Sequence, residues 1–577
     1  MLCVLLLVLG AGPAQDTAQE TAQETAQETG DERAGDPVQQ EPPPPASAFA
    51  EVGPGYHSLD EVRALLGRWI DEGAGRVRAL DLGSSHGGRA LPAIELGARA
   101  PEGAPDAPLE ERPTVLLLGG LDGRSLAGAE AVLAAAWRLL SELDRLRPDV
   151  TVVAVPWASP DGLAAAAAGA QTRGANERPT DEDRDGRVDE DPPDDVDGDG
   201  FVVEMLLEDP FGRWTLHENG RNPVLAAPGD HPRYRRVQEG KDDDGDGAFN
   251  EDPVGGVDLD RSFPVGWRGP ADSWLAGELP LSEPAALAIA RLALARRTAV
   301  VILFQGNHGW LAHPGGSPSE LRLDEADRPD YSRLAQMLAA ATGRPNRPAL
   351  PLAAARAAER PGAALDWFYA VPGALALEVA PWGPEVALGA IADPELEAGA
   401  ADDLWIRWLD DVRGGIGFVP WHRVDLAGAG RCLVGGWQPR TRLDPPDEEL
   451  PRALAGLADF VLAVVDALPR IELAATGERD GNVCRIRARA LQQGRLPTGL
   501  AVTGRSGVVP AGELTLELAL APGARLLAGA ERTRLGRLAG GVRSEVASWL
   551  VLAPPGAVFT LRASTPWSLD VERELVP

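Results

Sequence analysis

Three segments place aspartates on alternate residues of a short loop that closes on glycine. They are Asp181-x-Asp183-x-Asp185-Gly186, Asp195-x-Asp197-x-Asp199-Gly200 and Asp242-x-Asp244-x-Asp246-Gly247. Carboxylates spaced this way converge on one hard cation, the glycine permits the sharp turn, and the next carbonyl adds an oxygen. Further oxygen donors follow at Asp189, Glu190 and Asp191, at Glu204, and at Asn250, Glu251 and Asp252. Stacked carboxylates without a cation repel one another, so three copies predict bound calcium in a structural role. No helical pattern follows each loop, which separates them from EF-hands; a solvated acidic loop is the plainer alternative.

These loops lie between Gln171 and Pro253, where an otherwise regular pattern stops. Around them, apolar runs with strand character (Val77–Leu82, Thr114–Leu118, Thr151–Val155, Ala299–Phe304, Ala374–Val379) alternate with helical stripes. The helical stripes are Leu126–Leu146, Pro284–Arg296, Ser332–Ala341 and Glu449–Leu468. This alternation implies an α/β domain with a mixed or parallel sheet covered on both faces, over residues 51–469. Ser58 and Glu61 form a capping-box pattern ahead of the stripe Val62, Leu65, Leu66 and Trp69. An insert this long inside a domain is organised by something other than an apolar core, and calcium fills that role. Beyond Pro469, short strand runs and turn signals (Asp480-Gly481, Pro522-Gly523, Pro554-Pro555) predict a small C-terminal β-sandwich over residues 470–577.

The first residues, Met1 to Ala14, read as the hydrophobic part of a signal peptide, so a secreted or periplasmic location is expected, with no membrane span in the mature chain. Residues 15–50, with TAQE repeats and a proline run, lack large apolar groups and read as a disordered tether. The net charge of −32 disfavours nucleic acid and anionic lipid as partners. Cys432 and Cys484 could be two thiols or one bridge; their spacing does not decide.

Several stretches within residues 56–470 resemble the zinc carboxypeptidase (carboxypeptidase A-like) family, in particular a bacterial secreted subgroup with an acidic insert. Val115 to Leu121, then Asp122-Gly123-Arg124-Ser125, resembles the family's strand, Gly-Gly turn and His-x-x-Glu zinc pair, with Asp122 and Ser125 at the ligand positions. Aligning Pro314 with a family proline puts Gln305 at the third ligand position. Gly256 to Pro264 is similar to the segment whose Asn-Arg pair holds a substrate carboxylate, here Asp260 and Arg261. Leu365 to Tyr369 and Gly373 to Glu378 resemble the segment carrying the general base, which makes Glu378 the retained catalytic carboxylate. The family's capping Tyr has no counterpart, Ala357 and Ala358 occupying that stretch, and Arg173 or Arg178 would stand for its oxyanion arginine.

The resemblance implies an eight-stranded mixed sheet and zinc as the family cofactor. A catalytic zinc needs about three His or carboxylate ligands and an open site for water. Asp122, Ser125 and Gln305 supply one good ligand and two weak neutral ones, so zinc is not expected to bind. The reading is a non-hydrolytic pseudo-peptidase that still recognises peptides or cell-wall peptide fragments. Two alternatives stand beside it: an active metallocarboxypeptidase with a site rearranged around Asp122, His308 or His313, and Glu378, or a calcium-stabilised surface scaffold. Outside the motif, Glu378 reads as a buried salt-bridge residue with Arg261 as candidate partner.

Overall fold

The computed structural model describes residues 55–577 except 98–106, 170–173, 182–183, 185, 251, 254, 318–320, 390–399, 427, 429 and 502–511. The signal peptide, the tether, Arg173, Asp183, Asp185 and Glu251 therefore lie outside the described residues.

The chain opens with helix α1 (Leu59–Glu72), started by the Ser58–Glu61 capping box and burying Val62, Leu65, Leu66 and Trp69. Strands β1 (Val77–Ala79) and β2 (Ile94–Leu96) lead to β3 (Pro113–Gly119), helix α2 (Leu126–Ser141), β4 (Thr151–Val155) and helix α3 (Pro160–Ala167). The insert contributes β5 (Glu204–Glu208), β6 (Trp214–Leu216), β7 (Pro223–Leu225) and β8 (Tyr234–Gln238). Next come α4 (Pro284–Ala295), β9 (Arg297–Phe304), β10 (Leu311–His313), α5 (Arg328–Thr342), β11 (Leu350–Pro351), α6 (Leu352–Ala355), α7 (Ala364–Ala370) and β12 (Leu375–Val379).

Eight of these strands form one mixed sheet, in the order β1-β2-β4-β3-β9-β12-β10-β11. Its centre, β4, β3, β9 and β12, is parallel. Every residue of β3 and β12 is buried, as a sheet covered on both faces requires. Helix α2 packs closely because its small residues allow it. A Cβ on Gly128 would stand 1.9 Å from the Phe304 carbonyl oxygen, so only glycine brings this helix so near the end of β9.

Two predicted helices are shorter than their apolar pattern. α2 stops at Ser141, and the 449–468 stripe divides into α10 (Leu450–Leu454) and α11 (Leu457–Ala467) after α8 (Pro384–Leu388) and α9 (Ala400–Asp411). The break falls at Gly456, whose φ is +75° and whose missing Cβ would stand 2.0 Å from the Ala341 carbonyl oxygen.

The insert does have an apolar core, which corrects the expectation that calcium alone would organise it. Strands β13 (Phe418–Leu426) and β14 (Gly430–Trp437) join β5 to β8 in a six-stranded sheet, order β13-β14-β5-β8-β6-β7. Val203, Met205 and Leu207 of the insert bury against Val419, Cys432 and Val434.

The C-terminal region packs two four-stranded antiparallel sheets. One holds β15 (Ile471–Asp480), β16 (Val483–Gln492), β18 (Arg525–Ala528) and β20 (Ala547–Leu552). The other holds β17 (Thr515–Ala519), β19 (Arg532–Arg534), β21 (Phe559–Thr565) and β22 (Ser568–Leu575). Buried residues alternate along β16 and β21, as two apposed sheets demand. Cys432 and Cys484 are separate buried thiols in different cores. Among the described residues no helix is long and apolar enough to cross a membrane.

Candidate functional site

Strands β3, β9 and β12 end level with one another, Gly119 opposite Phe304 and Phe304 opposite Val379. That register brings Asp122, Gln305 and Glu378 together at the carboxyl ends of the parallel strands, where open α/β sheets place their sites. All three are fully buried, with Ser125 and Asp260.

Gln305 is the hub. Its Nε2 donates to Glu378 Oε2 at 2.8 Å and to Asp260 Oδ2 at 3.1 Å, while its Oε1 accepts from the Asp122 backbone N–H at 2.9 Å. Asp122 Oδ1 accepts from the backbone N–H groups of Arg124 and Ser125, both at 3.2 Å. Ser125 stands at the start of α2, but its buried hydroxyl makes no hydrogen bond. The adjacent Ala127 N–H is met instead by Asp444 Oδ1 at 2.8 Å.

The residue that sequence reasoning missed is Arg356, just beyond α6. Its Nε donates to Glu378 Oε1 at 2.8 Å and its Nη2 to Glu378 Oε2 at 2.9 Å. Both Nη atoms lie 3.4 Å from Asp122 Oδ2. His308 Nε2 closes the far side, 3.0 Å from Glu378 Oε1. Glu378 is indeed a buried salt-bridge residue, but its partner is Arg356 and not Arg261. Arg261, at the end of the turn Leu259–Arg261, lies beside Asp258, its Nε 3.4 Å from Asp258 Oδ2. Asp260 is held by Arg360 at 3.1 Å and by the Ala364 N–H at 3.2 Å. His313 is not part of this cluster; it bonds the Pro314 carbonyl and packs on Tyr331. Arg178 is committed to Glu283 at 2.8 Å.

Burial alone would push the Glu378 carboxyl up. The Arg356 guanidinium and His308 overcome it and hold Glu378 well below the usual carboxylate range. Burial acts against the Arg356 charge as well, and Glu378 and Asp122 more than restore it, so the guanidinium stays charged. Asp260 differs: burial lifts it to about 6, with Arg360 opposing and the neighbouring Asp258 and Glu378 charges adding to the rise. The cluster is thus a closed network of charges, hydrogen-bonded within itself.

The insert arranges its carboxylates in another way. Asp195 Oδ1 accepts from the N–H groups of Gly198 (2.7 Å) and Asp199 (3.2 Å), and Oδ2 from Gly200 (2.9 Å). Asp242 repeats this with Gly245 (2.7 Å) and Gly247 (3.1 Å), and Asp181 Oδ2 accepts from Gly186 at 3.1 Å. The closing glycines Gly186, Gly200 and Gly247 have φ of +96°, +93° and +95°, a left-handed turn that explains the residue type. Carboxylate oxygens of Asp195, Asp197 and Asp199 lie within 4.8 Å of one another, and so do those of Asp242, Asp244 and Asp246. Of the other acids, Asp191 joins the third loop, accepting from the Asp243 N–H at 3.0 Å and from the Asn250 N–H. Glu204 pairs with Arg236, which lies diagonally across β5–β8, opposite Leu206. Asp189 accepts from the Gly255 N–H at 3.2 Å, and Asn250 Nδ2 donates to the Gln238 carbonyl at 2.7 Å.

A family model described as zinc carboxypeptidase matches residues 64–383, more than half of the chain. A second, described as a domain of unknown function, matches residues 469–576. No curated protein matches in sequence. Among solved structures, the chain is similar to carboxypeptidase A from Helicoverpa armigera at 15% identity, covering 62% of this chain and 72% of that one, with a TM-score of 0.36. It is also similar to thrombin activatable fibrinolysis inhibitor at 16% identity, covering 58% and 68%, TM-score 0.37. A metallo-carboxypeptidase from Burkholderia cenocepacia gives 13% identity, 57% and 60% coverage, and a TM-score of 0.31. On the strength of the sequence match over residues 64–383, the chain belongs to the zinc carboxypeptidase family.

Proposed function

We propose that this carboxypeptidase-like protein does not hydrolyse peptides, and that it is an exported, calcium-stabilised member of the family that binds peptides or cell-wall peptide fragments. The observation that carries the loss of hydrolysis is the state of Glu378. Both of its oxygens are occupied, by Gln305, His308 and Arg356, which leaves the general-base position no oxygen to receive a proton from water.

Zinc is the family's cofactor, and the residues at the matching positions do not fit it. Gln305 has both ends of its amide committed, Ser125 offers a neutral hydroxyl, and the one carboxylate, Asp122, faces a guanidinium. A zinc ion would have to share this space with a fixed positive charge. His308, close to Glu378, favours the rearranged-site reading, but the Arg356 charge between Asp122 and Glu378 opposes any cation there.

Calcium is assigned to the Asp195 and Asp242 loops, on the alternate-residue carboxylates and their paired glycine turns. Export rests on the leading apolar run, Met1 to Ala14. The test is a peptidase assay with C-terminal apolar and basic reporter peptides, with and without added zinc, beside metal analysis. Calcium without zinc, and no turnover, is the expected result. Turnover abolished by Glu378→Gln would overturn the reading.

A further inference from the structure

The disagreement between this site and a metal has a positive side, because the site already contains a cation of its own. We propose that Arg356 is a built-in occupant: its guanidinium takes a cation's place between Asp122 and Glu378, and the emptied site would accept a free guanidinium-type cation.

Three independent features carry this. The first is charge. Asp122, Asp258, Asp260 and Glu378 crowd one buried region, and Arg124, Arg261, Arg356 and Arg360 stand among them. Four carboxylates meet four guanidinium groups. Removing one cation leaves a net buried negative charge, which is far costlier than removing both members of a pair.

The second is shape. Gly306, directly after Gln305, has a φ of +82°, and a Cβ there would stand 2.8 Å from Arg356 Cζ. The end of β9 is thus contoured to a planar guanidinium. The fork geometry suits it: one edge of the group meets both oxygens of Glu378, as a planar donor does and an ammonium does not.

The third is the way the arginine is delivered. Leu352 is fully buried at the start of α6. The Ala353 N–H donates to the Gly315 carbonyl at 3.1 Å and the Arg360 N–H to the Gly316 carbonyl at 2.7 Å. Arg360 itself is tied to Asp258 and Asp260, at 3.2 and 3.1 Å. The segment around Arg356 is therefore pinned on both sides, and Arg356 is not a surface side chain folded in by chance; it is 7% exposed.

The inference rests on the reading of the site as non-hydrolytic, and the experiment separates the two. Arg356→Ala should lower the thermal midpoint by about 5 °C. Millimolar methylguanidinium chloride should raise the midpoint of that variant and leave the wild type unmoved, with methylammonium chloride ineffective on both. An Arg356→Ala variant as stable as wild type, or one shifted equally by both salts, overturns the proposal. A second pair covers the case in which Arg356→Ala does not fold. Arg356→Met combined with Glu378→Gln should melt higher than Arg356→Met alone, because one of the two carboxylates that lose their guanidinium is then neutral. Failure of the double variant to recover also overturns it. Peptide turnover by the wild type would instead sink the non-hydrolytic reading and leave the rescue result standing on its own.

Discussion

The buried site and the acidic insert both crowd carboxylates, and they resolve the repulsion differently. In the site, four acids are enclosed by protein, each within reach of an arginine or an amide. In the loops, both oxygens of Asp195 and of Asp242 accept from backbone N–H groups, and the residues stay near the surface, where water or a cation can still reach them. Location decides between the two. Below the surface a charge with no fixed partner is intolerable, so its counter-ion must be covalently part of the chain. At the surface the counter-ion can be exchangeable, and fixing an arginine there would contribute little.

The sharpest way to break this comparison is to remove one carboxylate from each region. Glu378→Ala deprives Arg356 of its bidentate partner and should cost about 3–5 kcal/mol in urea unfolding, the range for breaking a buried pair. Asp244→Asn, measured in chelator, should stay within about 0.5 kcal/mol of wild type, as surface changes do. Equal losses would mean that the two clusters are not different in kind.

A middle-sized effect should come from calcium. Free calcium at about 100 times its dissociation constant should stabilise the protein by about 2.7 kcal/mol, provided the unfolded chain binds it weakly. Chelation should raise protease cleavage between Thr180 and Pro253. Asp195→Asn with Asp242→Asn should remove the calcium response, whereas Glu378→Gln should preserve it. Cleavage unaffected by calcium would return these loops to plain solvated acids.

Much of this was legible in the sequence, and the gaps share one cause. The strands and the capping box at Ser58 follow from local pattern, whereas the grouping of Asp122, Gln305 and Glu378 was implied by the resemblance to the family's site. Arg356 was not legible. It sits in Leu352-Ala-Ala-Ala-Arg-Ala-Ala, a stretch with no motif, and its partner Glu378 is 22 residues away with no helical spacing between them. The core of the insert was hidden similarly. β5 is only five residues long, and the partner that buries its apolar side is β14, after the main sheet is complete. Long-range pairing fixed both, and no local periodicity records it.

The smallest expected effect concerns a buried carboxylate with neither solution. Asp366 at the start of α7 is 2% exposed, and its oxygens accept from the N–H groups of Gly315 and Gly316 at 2.7–3.2 Å. No arginine is among the groups acting on it, and it is sealed from exchangeable cations. The remaining way to shed charge is to hold a proton. Burial lifts Asp366 to about 6 from an ordinary 3.8, with the backbone N–H groups opposing. A raised folded-state value means that the protonated form is favoured on folding. The stabilising contribution is complete below the unfolded value and is lost as pH rises through about 6. Acidification from pH 7 to pH 5 should therefore recover about 1 kcal/mol in the wild type that Asp366→Asn does not show. Glu378, held low by its arginine, titrates below this window and contributes nothing to the difference. If the two proteins have parallel stability curves over that range, Asp366 takes up no proton between pH 7 and pH 5. A buried carboxylate ionised throughout would need neither an arginine, a metal nor a proton, and the contrast between the two acidic regions would lose its physical basis.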